Sequence, residues 1–262
     1  MTLQELTCKY ESVRKSYQQK IVERMTEEQY QSYAEVLFST HSCAIEGNSF
    51  TVDDTRTLKE EGLAMVPQGK KLFECLEMAD HLRAFEYVMT HLDSPLDEAL
   101  LKEVNRLITL HTLSYLAPDA VAGEYTHVDM AAGDTIFGSH EKLVARVPAL
   151  LEATEHATQQ ASQHPIVIAA RFHGYFEYLH PFRDGNGRTG RLISNYILAR
   201  MQQPLLTIFL EERQQYITAL KQIRTEGTDE YLTAFFLQTA ILHMQQELDQ
   251  KKQNSQPRMF LF

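Results

Sequence analysis

Apolar residues recur at spacings of three and four along almost the whole chain, and that period predicts helices. Thr26-Glu27-Glu28 reads as a helix start with acidic residues in its first turn; the helical pattern continues through Tyr33, Val36, Leu37, Cys43 and Ala44 to Gly47, as one helix or as two with a break near Ser39. Thr51-Val52-Asp53-Asp54 opens a shorter helix that Gly62 closes. Residues 70–91 carry Leu72, Leu76, Ala79, Leu82, Ala84, Phe85 and Val88 on one face, and residues 97–113 repeat the pattern. Between Ala117 and Gly138 the periodicity breaks at Pro118, Gly123, Gly133 and Gly138, and YTHVDM and DTIF read as two short strands around AAG, a small β-hairpin on a helical body. Helical spacing returns over 140–158, 164–180, 187–202, 210–226 and 228–252. The expected fold class is therefore mainly α, a helical bundle with one hairpin. No internal repeat and no linker rich in Pro, Gly or Ser interrupts it, so one domain is expected: residues 1–50 as a helical extension, 51–252 as the core and 253–262 as a tail, loose or docked by its last four residues.

Composition narrows the function classes. With 44% hydrophobic and 23% charged residues the 262-residue chain is an ordinary globular one, and its formal charge of -10 repels nucleic acid and anionic membranes at long range. Any phosphate it binds must be held by a local arrangement. Three cysteines in no metal-binding spacing argue against a disulfide framework or a zinc site and fit a reducing, cytoplasmic setting. No stretch approaches the ~20 apolar residues that span a bilayer, and no basic recognition helix suggests DNA binding.

The chemistry is concentrated in His180-Pro181-Phe182-Arg183-Asp184-Gly185-Asn186-Gly187-Arg188-Thr189-Gly190-Arg191. Asp-Gly and Asn-Gly are hairpin signals, but Ala169, Phe172, Phe176 and Leu179 before the run, and Leu192, Ile193, Tyr196 and Ile197 after it, keep helical spacing, so the run joins two helices. Gly185, Gly187 and Gly190 also spell GxGxxG, yet the strand and the βαβ unit which that fingerprint requires are missing. What remains is a Gly-rich loop entering a helix N-terminus, where backbone amides and the helix dipole favour an anion. Arg188 and Arg191 share the first turn of that helix and offer guanidinium forks for phosphate oxygens. Asp184 could hold Mg²⁺ against those phosphates, and His180 could take a proton from an attacking hydroxyl. Phe182 fits neither task and is expected to pin the loop to the core. Taken singly, each residue has a plainer use as a cap or a surface ion pair.

The run fits H-x-F-x-[D/E]-G-N-G-R-x-x-R and so resembles the Fic family at every defined position, with likeness extending over FHGYFEYLH before it and LISNYILA after it. The resemblance implies transfer of AMP from ATP to a hydroxyl side chain of a target protein or of the chain itself. His180 would be the general base, Asp184 the Mg²⁺ ligand, and Gly185, Asn186 and Gly187 the phosphate hole. Arg188 would hold the β-phosphate region and Arg191 the γ-phosphate. The glycines at 185 and 187 favour nucleotidyl transfer over the phosphorylation carried out by Doc-type relatives. Ser42-Cys43-Ala44-Ile45-Glu46-Gly47 resembles the inhibitory motif [S/T]-x-x-x-[E/D]-[G/N] of self-restrained members. A carboxylate at a helix C-terminus is disfavoured by the dipole and needs a cation; Arg191 is the candidate, with Ser42 one turn earlier reaching the same place. In some relatives this glutamate supports AMP removal, so a de-AMPylase, another nucleotide-linked donor and a non-catalytic nucleotide-binding regulator stand as alternatives. The hairpin lies where the family places its target-docking flap, with Thr135, Ile136 and Phe137 lining it; Thr126 stands where an arginine is expected after Gly-Glu-Tyr. Tyr216 is a candidate for the adenine pocket, His173 for a buried structural role and Asn195 for a helix–helix contact. ATP, a hydroxyl-bearing protein target and, compatibly, a second copy of the chain are the expected partners.

Overall fold

The computed structural model describes residues 1–64, 66–132 and 135–255. Helix α1 (Leu3–Lys20) opens the chain, locked by a reciprocal cap between Thr2 and Glu5. Helix α2 (Glu27–Ile45) is one continuous helix with no break at Ser39; Thr26 and Gln29 form the capping box at its start. Helices α3 (Val52–Glu61), α4 (Leu72–Thr90), α5 (Glu98–Ile108) and the single turn α6 (Leu113–Leu116) follow. The 97–113 pattern is thus cut at Ile108, where the backbone turns through Thr109 before α6 begins. After the flap come α7 (Leu143–Gln160), α8 (Pro165–Leu179), α9 (Asn186–Arg200), α10 (Arg213–Glu226) and α11 (Glu230–Ser255). Residues 256–262, including the apolar end of the tail, lie outside the described residues.

The hairpin is smaller than the sequence suggests. Strands β1 (Ala131–Ala132) and β2 (Thr135–Ile136) pair antiparallel, Ala131 opposite Ile136 and Ala132 opposite Thr135. YTHVDM is not a strand of this hairpin. Tyr125 instead bridges Phe182, and the Thr126 amide donates to the Pro181 carbonyl at 2.8 Å, so this segment is consumed in tying the flap's base to the loop after α8. Thr126 turns its own hydroxyl to the Val128 carbonyl.

Helices α8 and α9 form the centre. Helix α9 is buried on every side, with Leu192, Ile193, Tyr196, Ile197 and Leu198 packed in the core alongside buried Thr189, Ser194 and Asn195. Its polar residues are satisfied locally: the Ser194 hydroxyl donates to the Gly190 carbonyl, and Asn195 exchanges two hydrogen bonds with the backbone of Leu206. Asn195 therefore fastens the extended chain after α9 rather than a neighbouring helix. Close approach needs small residues at the crossings: a Cβ on Gly190 would come 2.7 Å from His173, and one on Gly174 would clash with Ile223. Helices α2, α4 and α5 cover α9, while α7, α10 and α11 cover α8. Helix α1, not delimited by the sequence reading, lies along α11, and its Leu6, Tyr10, Val13 and Tyr17 join the same core as residues from α8 and α9.

Phe182 is fully buried against Phe176 and Tyr125, as its place between two helices suggests. Phe182→Ala should cost about 3–5 kcal/mol from lost burial and the cavity left behind, read as a lowered denaturation midpoint; a loss under ~1 kcal/mol would show that the loop is not anchored there.

Candidate active site

Helix α8 ends at His180, whose backbone adopts the left-handed conformation, φ 49° and ψ 58°. A non-glycine residue in that conformation costs ~1–2 kcal/mol, and the strain turns the imidazole back beside the loop. Gly185, at φ 77°, reverses the chain into α9; a Cβ there would meet Thr109 at 2.8 Å. The Asn186 side chain closes the loop on itself, accepting from the Phe182 amide at 2.9 Å and donating to the Phe182 carbonyl at 2.7 Å. The helical ladder begins where Thr189 donates to the Gly185 carbonyl at 2.8 Å, so the amides of Asn186, Gly187 and Arg188 precede it and form the anion-attracting end of α9.

Both arginines of this end are buried and already engaged. Arg191, 3% exposed, donates from Nη2 to Glu46 Oε1 and to the Ser42 carbonyl, each at 2.7 Å, and from Nε to Ser42 Oγ at 3.1 Å. The third nitrogen lies 3.4 Å from the Tyr216 hydroxyl. Glu46 is the C-cap of α2, and Gly47, at φ 106°, turns the chain away behind it. A Cβ on Gly187 would stand 2.4 Å from Glu46 Oε1, so the carboxylate rests directly on the loop backbone where only glycine admits it. Side-chain area leaves Glu46 38% accessible. Burial opposes its ionisation, but Arg191, Arg188 and Arg213 outweigh burial and hold it below the usual carboxylate range. Arg188 donates to Glu77 Oε1 and to Asp184 Oδ2, both at 2.7 Å, while its Nε, also buried, finds no acceptor among the described residues.

Residues 95–198 match the Fic/DOC family model. Over this segment the chain belongs to the Fic/DOC family. The chain is 33% identical over 192 residues to Protein adenylyltransferase Fic of Drosophila grimshawi, covering 71% of this chain and 37% of the fly protein. It is 33% identical over 184 residues to the protein of that name from Nematostella vectensis, covering 70% and 42%. It thus spans about two fifths of the length of these relatives. The fold is that of a Fic domain containing signaling protein from Bacteroides thetaiotaomicron (TM-score 0.76, 21% identity, 96% of this chain and 97% of the other). It is also that of a fragment of Fic-1 from C. elegans (TM-score 0.77, 23% identity, 97% and 74%).

The Fic loop, the α2 end and the flap meet in one place, yet two residues, Phe137 and Tyr216, are used differently from what the sequence suggests. Phe137 does not line a free docking edge: its ring stacks on His180 with centroids 3.7 Å apart and carries the Arg224 guanidinium 4.4 Å from its own centroid. Ile136, 78% exposed, is the flap residue open to a partner, with Thr135 half-buried beside it. Tyr216 is 1% exposed; its hydroxyl is shared between His173 at 2.6 Å and Arg191, so it backs the arginine instead of facing a nucleotide pocket. His173 is fully buried, as a structural histidine is. Burial pushes His180 down to about 4, aided by Arg224, so its imidazole is neutral at pH 7. Glu177, one turn earlier, is pushed up to about 7 by burial.

Sequence reasoning missed Asn105 and Glu77. Asn105 on α5 donates to the Asp184 carbonyl at 3.0 Å and to Thr189 Oγ1 at 3.2 Å, and accepts from the Gly123 amide at 3.3 Å, clamping both ends of the loop. Glu77 on α4 lies 111 residues from its partner, and only its place beside the apolar Cys75, Met78 and Leu82 marks it in the sequence. Asn105→Ala should leave several buried groups unpaired and cost about 2 kcal/mol; a thermal melt that matched wild type would show the loop holds itself.

Proposed function

We propose that this protein transfers AMP from ATP to a hydroxyl of a protein target, or of itself, and that Glu46 restrains it by occupying Arg191. The observation that carries this reading is the 2.7 Å pair between Glu46 and Arg191 seated on Gly187. A carboxylate there fills the position of a phosphate, since it satisfies the same guanidinium and rests over the same helix end. The names of the relatives point the same way.

Removal of Glu46 leaves Arg191 for the terminal phosphate, while the amides of Asn186, Gly187 and Arg188 face the phosphates nearer the sugar. The target hydroxyl gives its proton to the neutral His180; its oxygen bonds to the α-phosphorus as the bridge to the β-phosphate breaks, and pyrophosphate leaves with its charge met by the arginines. The Nε of buried Arg188, unpaired among the described residues, is a further donor. Asp184 suits Mg²⁺: one oxygen accepts from Arg188, the other makes no hydrogen bond or ion pair among the described residues, and the side chain is 28% exposed. A single half-open carboxylate fits a cation whose other ligands are phosphate oxygens and water, and that cation would neutralise charge on the leaving pyrophosphate. The exposed Ile136 of the flap is the edge to which a target segment would add.

Incorporation of α-phosphate-labelled ATP into protein, with Mg²⁺ and cell extract, should be strong for Glu46→Gly, weak for wild type, and abolished in Glu46→Gly with His180→Ala. No label in any of them, with folded protein by circular dichroism, would overturn AMP transfer in favour of the non-catalytic regulator.

A further inference from the structure

Two neighbouring buried side chains, His180 and Glu177, each carry a polar atom without a hydrogen-bond partner among the described residues. Neither His180 Nδ1 nor Glu177 Oε1 has a well-formed hydrogen bond among the described residues; Nδ1 lies 3.9 Å from Glu177 Oε2, and the Glu177 backbone also stands beside the ring. The separation is just beyond hydrogen-bond reach, and catalytic contacts in an unliganded enzyme are often long. Orphaned groups in a protein interior are rare and costly. Both side chains are held for a meeting. Phe137 lies parallel to the imidazole at 3.7 Å and fixes its plane, leaving only the ring's edge free to turn toward α8. Arg224 of α10 donates to the Glu177 carbonyl at 3.2 Å and stands over Phe137, placing a cation beside the carboxylate without pairing with it.

We propose that Glu177 is the positioning residue for His180: its carboxylate accepts the Nδ1 proton, fixing the tautomer whose Nε2 is free to take the proton of the attacking hydroxyl. This inference rests on the adenylyltransferase reading for its chemical role but not for the contact itself. When the target oxygen bonds to phosphorus, its proton moves to Nε2, the imidazole becomes cationic, and the carboxylate offsets that charge across Nδ1. A carboxyl in this place works only when ionised. Protonated, Glu177 donates to Nδ1 instead, which moves the ring proton to Nε2 and disables the base.

The groups facing Glu177 set where that change falls. Burial raises its proton affinity most, Arg191 of α9 and Arg224 of α10 lower it, and Glu46 of α2 raises it, leaving the transition near 7; buried Tyr216 of α10 and neutral His180 complete the surroundings. Because the folded value is raised, the fold is favoured below the ordinary carboxylate range and loses that stability as pH rises toward 7. The molecule therefore carries the active tautomer at a cost in stability.

The test is nitrogen NMR of His180 in the full-length wild type, which reports the tautomer whether or not AMP transfer occurs. Below the Glu177 transition the proton should sit on Nε2 and above it on Nδ1; a single tautomer throughout would overturn the proposal. In a Glu46→Gly background, Glu177→Gln should lower kcat by ~100-fold with little change in KM for ATP and flatten the rise of rate with pH, while Glu177→Asp restores part of the rise. Unchanged kcat and pH profile in a folded Glu177→Gln protein would also overturn it. If Glu46→Gly proves inactive, the adenylyltransferase reading fails and the NMR result still decides the contact.

Discussion

A buried guanidinium must be paired, and the site is organised around that demand at Arg191. Taking this charge out of water costs several kcal/mol unless its donors are met. The partners come from α2: the Ser42 carbonyl, the Ser42 hydroxyl and the Glu46 carboxylate, with Tyr216 behind. Each places a constraint elsewhere. Glu46 can reach the arginine only because Gly187 has no side chain, and α2 can end there only because Gly47 turns the chain away at a positive φ. Arg213 caps the carbonyl of Ile45 at 2.8 Å, and His81 bridges Ser39 and Ser42 at 3.0 Å each, so the end of α2 is braced from both sides.

The second arginine is balanced in parallel from the same turn. Asn48, two residues after Glu46, donates to Glu77 Oε2 at 2.7 Å, and Glu77 holds Arg188 at 2.7 Å. The Glu46-Gly47-Asn48 turn thus reaches one arginine directly and the other through Glu77. A chain of net charge -10 in this way concentrates cations in one loop and pairs each of them with carboxylates of its own.

Much of this was legible in the sequence because it is local. Capping residues such as Thr26 and Thr51 and the spacing of three and four delimit the helices within a few residues. The glycines of the loop declare its turn, and a carboxylate at the end of α2 declares its need of a cation. Two-residue strands escape because a period of two cannot show in so few positions, and Tyr125 and Thr126, whose alternation suggested a strand, pair with the loop after α8 instead. Asn105, Glu77 and Glu177 escape for another reason: what they do depends on partners across the fold or on burial, and neither periodicity nor spacing records that. Phe137 carries no sign that it stacks on His180 instead of on a target. Helix α9 hides polar side chains among apolar ones, Thr189, Ser194 and Asn195 being buried with them.

In the proposed function, Glu46 and the terminal phosphate of ATP compete for Arg191. Calorimetric titration of ATP and of ADP into wild type and Glu46→Gly tests it without requiring turnover. The substitution should tighten ATP by at least tenfold, about 1.4 kcal/mol, and leave ADP nearly unchanged. Equal gains for both nucleotides, or none for ATP, would show that Glu46 does not stand in the place of that phosphate.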